Sequence, residues 1–207
     1  PICCLSLKPT LWGLFMVGFP SPPNPFSDAV QQLPKEPTRI AGLDDILAGG
    51  LPVGRTSLIS GSPGSGKTTL LLELIFRRAS SGAAGIFISF EEPLSSIRQN
   101  ALTFGWDLTA LEAAGKLVLL ENPLPVDAVI AGDFSLKGFI AVIEAKIKQT
   151  GADLVAIDAI DMLLRFFKTP RRRQDEMLSL NNWLKQQKIS AVLTSKNASV
   201  ITELPDF

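Results

Sequence analysis

The stretch Gly61-Ser62-Pro63-Gly64-Ser65-Gly66-Lys67-Thr68 carries the spacing G-x-x-x-x-G-K-[ST] of a loop that cradles nucleotide phosphate. Glycines at Gly61, Gly64 and Gly66 let the backbone take positive φ and approach a ligand closely. Backbone N–H groups turned inward make a nest for anionic oxygens, and a helix beginning near Lys67 adds its unpaired N–H groups. The expected contact set is therefore Ser62, Pro63, Gly64, Ser65, Gly66, Lys67, Thr68 and Thr69. Within it, Lys67 reaches the β- and γ-phosphates and the Thr68 hydroxyl ligates Mg²⁺.

Carboxylates supply the remaining chemistry. Asp158 ends the apolar run Leu154-Val155-Ala156-Ile157, the pattern of an aspartate that helps hold Mg²⁺ beside a bound triphosphate, directly or through water. Capping a following helix is its plainer alternative. Glu91 and Glu92 follow a second apolar run, and hydrolysis needs a carboxylate within reach of the attacking water. They are the candidate catalytic residues, together with Lys67. Asp161 reads as a first-turn carboxylate complementing a helix dipole. Arg171-Arg172-Arg173 opens a helix, where positive charge opposes that dipole, so contact with a subunit, a nucleic acid or an acidic partner competes with a plain solvated face. With no histidine in the chain, His-based metal sites and Ser/His or Cys/His catalysis are excluded.

These residues need a scaffold that alternates strand and helix. Thr56–Ser60 reads as a strand into the loop, and the apolar stretch from Lys67 to about Ser80 as the helix out of it. Gly85–Phe90, Lys116–Leu120, Leu154–Ile157 and Ser190–Thr194 are further strands, apolar end to end as in parallel sheets buried on both faces. Helices are expected over 94–104, 108–114, 136–149 and 171–187, with a short one at Gly42–Ala48. Leu51–Arg55 reads as a turn and Asn122–Asp133 as a loop. Alternation of this kind implies a mostly parallel sheet flanked by helices, with ligands outside the strands' carboxyl ends. The loop, the glutamates and Asp158 all fall at such ends.

The chain has 207 residues, 46% of them hydrophobic, enough for one domain with a buried core. Lys+Arg and Asp+Glu are both 20, so there is no bulk basic field to draw in duplex DNA or an anionic membrane. The cysteines Cys3 and Cys4 are adjacent and frame neither a disulfide scaffold nor a zinc site. No apolar run reaches the roughly 20 residues of a membrane-spanning helix, so a cytoplasmic protein is expected. Pro-rich residues 1–37 read as a poorly ordered leader, and 38–207 as the functional domain.

Taken in order, Gly42-Leu43-Asp44-Asp45-Ile46, Gly49-Gly50-Leu51-Pro52-Val53-Gly54-Arg55, the phosphate loop, Phe87-Ile88-Ser89-Phe90-Glu91-Glu92 and Phe104-Gly105-Trp106-Asp107 resemble KaiC-like ATPases of the RecA superfamily. The resemblance covers about Thr38 to Lys196. It implies a RecA-like core, ATP with Mg²⁺, and hexameric rings with nucleotide at subunit interfaces. It also implies a catalytic glutamate pair at Glu91 and Glu92, and signalling of the circadian type with protein partners. Autophosphorylation on Ser/Thr is not carried over to a single domain. Family domains continue past the fifth strand with basic residues that reach a neighbour's phosphates. This chain stops at Phe207, so the domain is expected to be incomplete at its C-terminus, with Lys196 the candidate substitute. Two other readings stay open: a recombination or repair ATPase binding single-stranded DNA, and a nucleotide-binding regulatory module without catalysis.

Overall fold

Period-two packing builds the sheet. Strands run apolar throughout because alternate side chains enter different cores, one on each face. In the computed structural model, which describes residues 33–124 and 136–196, Ile86, Ile88, Val155, Ile157, Ala191 and Leu193 join one buried cluster. Their neighbours Phe87, Ala156 and Val192 join the other, with Leu117 and Leu119. Residues 1–32 of the leader expected over 1–37, and most of the 122–133 loop, lie outside the described residues. All described residues belong to the unit that begins at Leu33.

The chain enters through strand β1 (Lys35–Glu36) and helix α1 (Leu43–Ile46), then β2 (Leu51–Pro52). Strands β1 and β2 pair antiparallel. Leu51–Pro52, expected as part of a turn, is thus a strand, and the turn itself is confined to the next residues, with Gly54 at φ 64°. This entry segment is tied down by Asp44, whose carboxylate accepts from the Thr38 amide and hydroxyl, both at 2.7 Å, and from the Arg39 amide at 3.0 Å. The Thr38 hydroxyl bond is the largest influence holding the Asp44 carboxyl below its ordinary pKa, with the two amides adding to it against partial desolvation.

From there the elements alternate. Strand β3 (Thr56–Ser60) leads through the loop into α2 (Lys67–Ser80), and β4 (Gly85–Ser89) is followed by α3 (Leu94–Thr103) and α4 (Leu108–Ala113). Next come β5 (Leu117–Glu121), α5 (Leu136–Thr150), β6 (Leu154–Asp158), the short α6 (Ile160–Leu164), α7 (Pro170–Gln186) and β7 (Ser190–Ser195). Helix α7 starts on sound capping chemistry: Pro170 occupies the first turn and the Thr169 hydroxyl accepts from the Arg172 amide at 3.3 Å.

The five long strands pair in the order β3-β7-β6-β4-β5, every neighbour parallel. The register matters for the site. Ser60 lies opposite Ser195, Ile157 opposite Leu193, and Ser89 opposite Asp158. The carboxyl ends of β3, β7, β6 and β4 therefore form one row, and everything that follows a strand is delivered to the same edge. The expected α/β architecture, a parallel sheet flanked by helices, is the observed one.

Candidate nucleotide-binding site

Only two glycines of the loop adopt positive φ, Gly64 at 79° and Gly66 at 86°. Gly61 serves differently. A Cβ there would stand 2.7 Å from the Ser65 hydroxyl, so its role is close approach and not a left-handed backbone. Gly66 is the residue before α2, whose first turn carries Lys67, Thr68 and Thr69. With no acidic side chain in that turn, its N–H groups and dipole face the loop uncompensated.

Lys67 is 9% exposed. Its ammonium donates to the carbonyls of Gly61 at 2.7 Å and Ser62 at 2.8 Å, and to the Ser65 hydroxyl at 3.3 Å. The side chain thus lies along the loop it must serve. Phosphate oxygens would be stronger, charge-assisted partners for the same ammonium.

Asp158 is 2% exposed at the end of β6. A buried carboxylate persists when its oxygens are bonded, and here they are. The Thr68 hydroxyl donates to Oδ2 at 2.8 Å and the Thr194 hydroxyl donates to Oδ1. The N-cap position of α6 is Ala159, so Asp158 does not cap that helix with its side chain. The Asp158–Ala159 peptide is cis. Thr68 and Asp158 form an all-oxygen pair of the kind Mg²⁺ prefers, at the start of the helix that cradles phosphate. They fit the cation.

The two glutamates diverge. Glu91 Oε1 meets the Lys196 ammonium at 2.8 Å, with the Glu91 side chain 21% exposed and that of Lys196 44% exposed. Glu92 turns toward α3, where the Asn100 amide donates to its Oε2 at 3.2 Å. The Ser89 hydroxyl donates to the Glu92 carbonyl at 2.6 Å and accepts from its amide at 3.2 Å, fixing the corner after β4. The amide at the start of α3, that of Leu94, is taken by Glu121 at 2.9 Å.

Residues 36–204 match the family described as "ATPase: KaiC". The chain belongs to the KaiC family of ATPase domains. It is 35% identical over 175 residues to the circadian clock oscillator protein KaiC of Thermostichus vulcanus, covering 84% of this chain and 34% of that one. With the KaiC of a Nostoc species the identity is 38% over 172 residues, covering 82% and 33%. The chain thus spans about a third of the length of the curated relatives it matches. The KaiC assignment makes the fold a RecA-like phosphate-loop domain, as the parallel sheet and loop geometry require.

Within this KaiC-family domain, the expected residues are brought together unequally. Lys67, Thr68 and Asp158 form one connected group. Glu91 stands at the next strand end, while Glu92 faces away along α3. Asp161, expected to complement a helix dipole, does sit in the first turn of α6. It also accepts from the Ser195 hydroxyl at 3.0 Å and the Lys196 amide at 2.8 Å, joining α6 to the end of β7. Thr194 is the functional neighbour that sequence reasoning missed. A threonine inside an apolar strand carries no signal beyond its β-branched fit, and only the register places it beside Asp158.

Proposed function

We propose that this KaiC-family domain binds ATP with Mg²⁺ at the Gly61–Thr68 loop and hydrolyses it, self-associating in a ring that serves circadian-type regulation. The observation that carries the reading is the Thr68–Asp158 bond at 2.8 Å, which locks the loop's helix to the β6 end one strand away from Glu91. Thr68 and Asp158 would hold Mg²⁺. When bound, the cation neutralises phosphate charge and polarises the transferred group. Lys67 and the N–H groups at the start of α2 hold and orient the phosphates. Glu91 is the carboxylate placed to orient a water and take up its proton. Membership of the family supports the regulatory role, which the relatives' name as clock oscillator proteins describes for them, and ring assembly follows from the resemblance drawn on the sequence motifs.

Radiolabelled ATP binding tests the site. Lys67→Ala is expected to weaken affinity about 10- to 100-fold, the value of a charge-assisted hydrogen bond. Equal binding by wild type and variant sinks the assignment. Glu91→Gln is expected to lower turnover by about 10²-fold or more with affinity retained. Glu92→Gln should lower it far less, since that side chain faces Asn100.

One observation favours a second reading, single-stranded nucleic acid binding. Arg165, Lys168 and Arg171 are exposed within a few residues of one another at the start of α7, the face toward which the strands' carboxyl ends point. Such binding would be ATP-dependent and would fall steeply with salt. No retention of a labelled oligonucleotide at low salt eliminates it.

A further inference from the structure

We propose that Lys196 is a positioning residue for Glu91, holding that carboxylate at the mouth of the site so that its second oxygen can orient the attacking water. The proposal rests on the hydrolysis reading above. Lys196 follows the last residue of β7, and Glu91 lies two residues beyond β4. Strands β7 and β4 flank β6 on its two sides. The ion pair between them therefore reaches across the carboxyl end of β6, where Asp158 stands.

Both ends of the bridge are anchored by backbone. The Lys196 amide donates to Asp161 Oδ2 at 2.8 Å, and the preceding Ser195 carbonyl accepts from the Gly61 amide at 3.2 Å. On the other side, the Phe90 amide donates to the Asp158 carbonyl at 2.7 Å. The Phe90 ring packs on Phe139, 5.7 Å between centroids. The bridge thus joins the first residue of the phosphate loop to the catalytic glutamate through only one flexible side chain at each end.

Magnitude separates the two uses such a pair can have. A half-exposed ion pair contributes little to stability, being screened and entropically opposed. A catalytic carboxylate displaced by about 1 Å can lose about 10²-fold in rate. Orientation is therefore where Lys196 has leverage. Its ammonium occupies Oε1 at 2.8 Å. Among the described residues nothing donates to Oε2, which leaves that oxygen to accept from a water.

The test compares wild type, Lys196→Met and Lys196→Arg by steady-state ATPase and by fluorescent-nucleotide binding. Lys196→Met is expected to lower kcat about 10- to 100-fold with nucleotide affinity within about twofold, and Lys196→Arg to recover much of the loss. An unchanged or raised kcat overturns the proposal. So does a loss of affinity matching the loss of rate, which would put Lys196 on the phosphates instead. If wild type binds nucleotide without turnover, the hydrolysis reading falls first. The side-chain carboxyl ¹³C resonance of Glu91 in nucleotide-free wild type and Lys196→Met at low salt then decides the pair itself: a shift on losing the ammonium is expected, and an unchanged resonance overturns it.

Discussion

Asp158 is the residue on which the site turns, and each of its two oxygens is satisfied by a threonine hydroxyl. Thr68 comes from the phosphate-loop helix and Thr194 from the strand lying between β3 and β6. Thr194 is fully buried, so its hydroxyl has no water to fall back on. Replacing it by valine keeps the shape and removes a donor to a buried carboxylate. Thr194→Val is expected to lower the unfolding free energy by about 1–3 kcal/mol, whereas Thr194→Ser, which keeps the hydroxyl, should stay near wild type. Urea denaturation of the two variants measures the difference. The contrast between Lys67 and Thr194 also explains what a sequence reveals. The partners of Lys67 lie five and six residues back along the chain, so residue type and spacing alone announce them. Thr194 is 36 residues from Asp158, and that meeting is made by strand order, which no local pattern encodes. The same holds for Lys196 and Glu91, whose pairing reaches from the end of β7 to the end of β4 across β6.

At the scale of elements, the long strands and helices are legible because burial on both faces writes an unbroken apolar run and a helix writes its own period. Strand β6 ends at Asp158 as the run Leu154–Ile157 announces, and α2 runs from Lys67 to Ser80. The β1–β2 ribbon is not legible. Two residues per strand, one of them Pro52, give no period, and the segment that carries β1 is held by bonds such as those of Asp44 to Thr38 and Arg39 and of the Lys35 ammonium to the Leu47 and Ala48 carbonyls. The Asp44 bonds make the ribbon pH-sensitive in a predictable direction. The Asp44 carboxyl lies below its ordinary value of 3.8 in the folded protein, chiefly because of the Thr38 hydroxyl. A depressed folded pKa contributes stability that is present above the unfolded value and is lost as pH falls through the folded one. Asp44→Asn should therefore unfold at a lower temperature than wild type at neutral pH. The gap should close as pH drops below about 3.8, and a gap that stays constant down to pH 2 would remove Asp44 as its source.

At the scale of the whole molecule, the described residues form two cores on the two faces of one five-stranded parallel sheet, and the site depends on that arrangement. Helices α5 and α7 bury Phe139, Ile143, Met177, Leu180 and Leu184 against one face. Helices α2, α3 and α4 bury Leu71, Ile75, Ile97, Ala101 and Leu108 against the other. The same strands supply both clusters, residue by alternate residue, so neither face can melt while the sheet survives for the other. This predicts a single cooperative transition, of the kind small single domains show. The tryptophans allow it to be read face by face. Trp183 packs against the α5–α7 core, and Trp106 against the α2–α4 core, stacked between Phe76 and Phe104 with centroids 6.0 and 4.8 Å away. In a Trp12→Phe background, Trp106→Phe leaves Trp183 as the only indole, and Trp183→Phe leaves Trp106. Guanidinium titrations of the two proteins, followed by indole fluorescence and by far-ultraviolet circular dichroism, are expected to give coincident probes within each protein. Two midpoints would mean that the faces unfold separately. The row of strand ends carrying Ser60, Ser195, Asp158 and Ser89 would then be held on one side only when the first face melts, and nucleotide binding should be lost at that first transition.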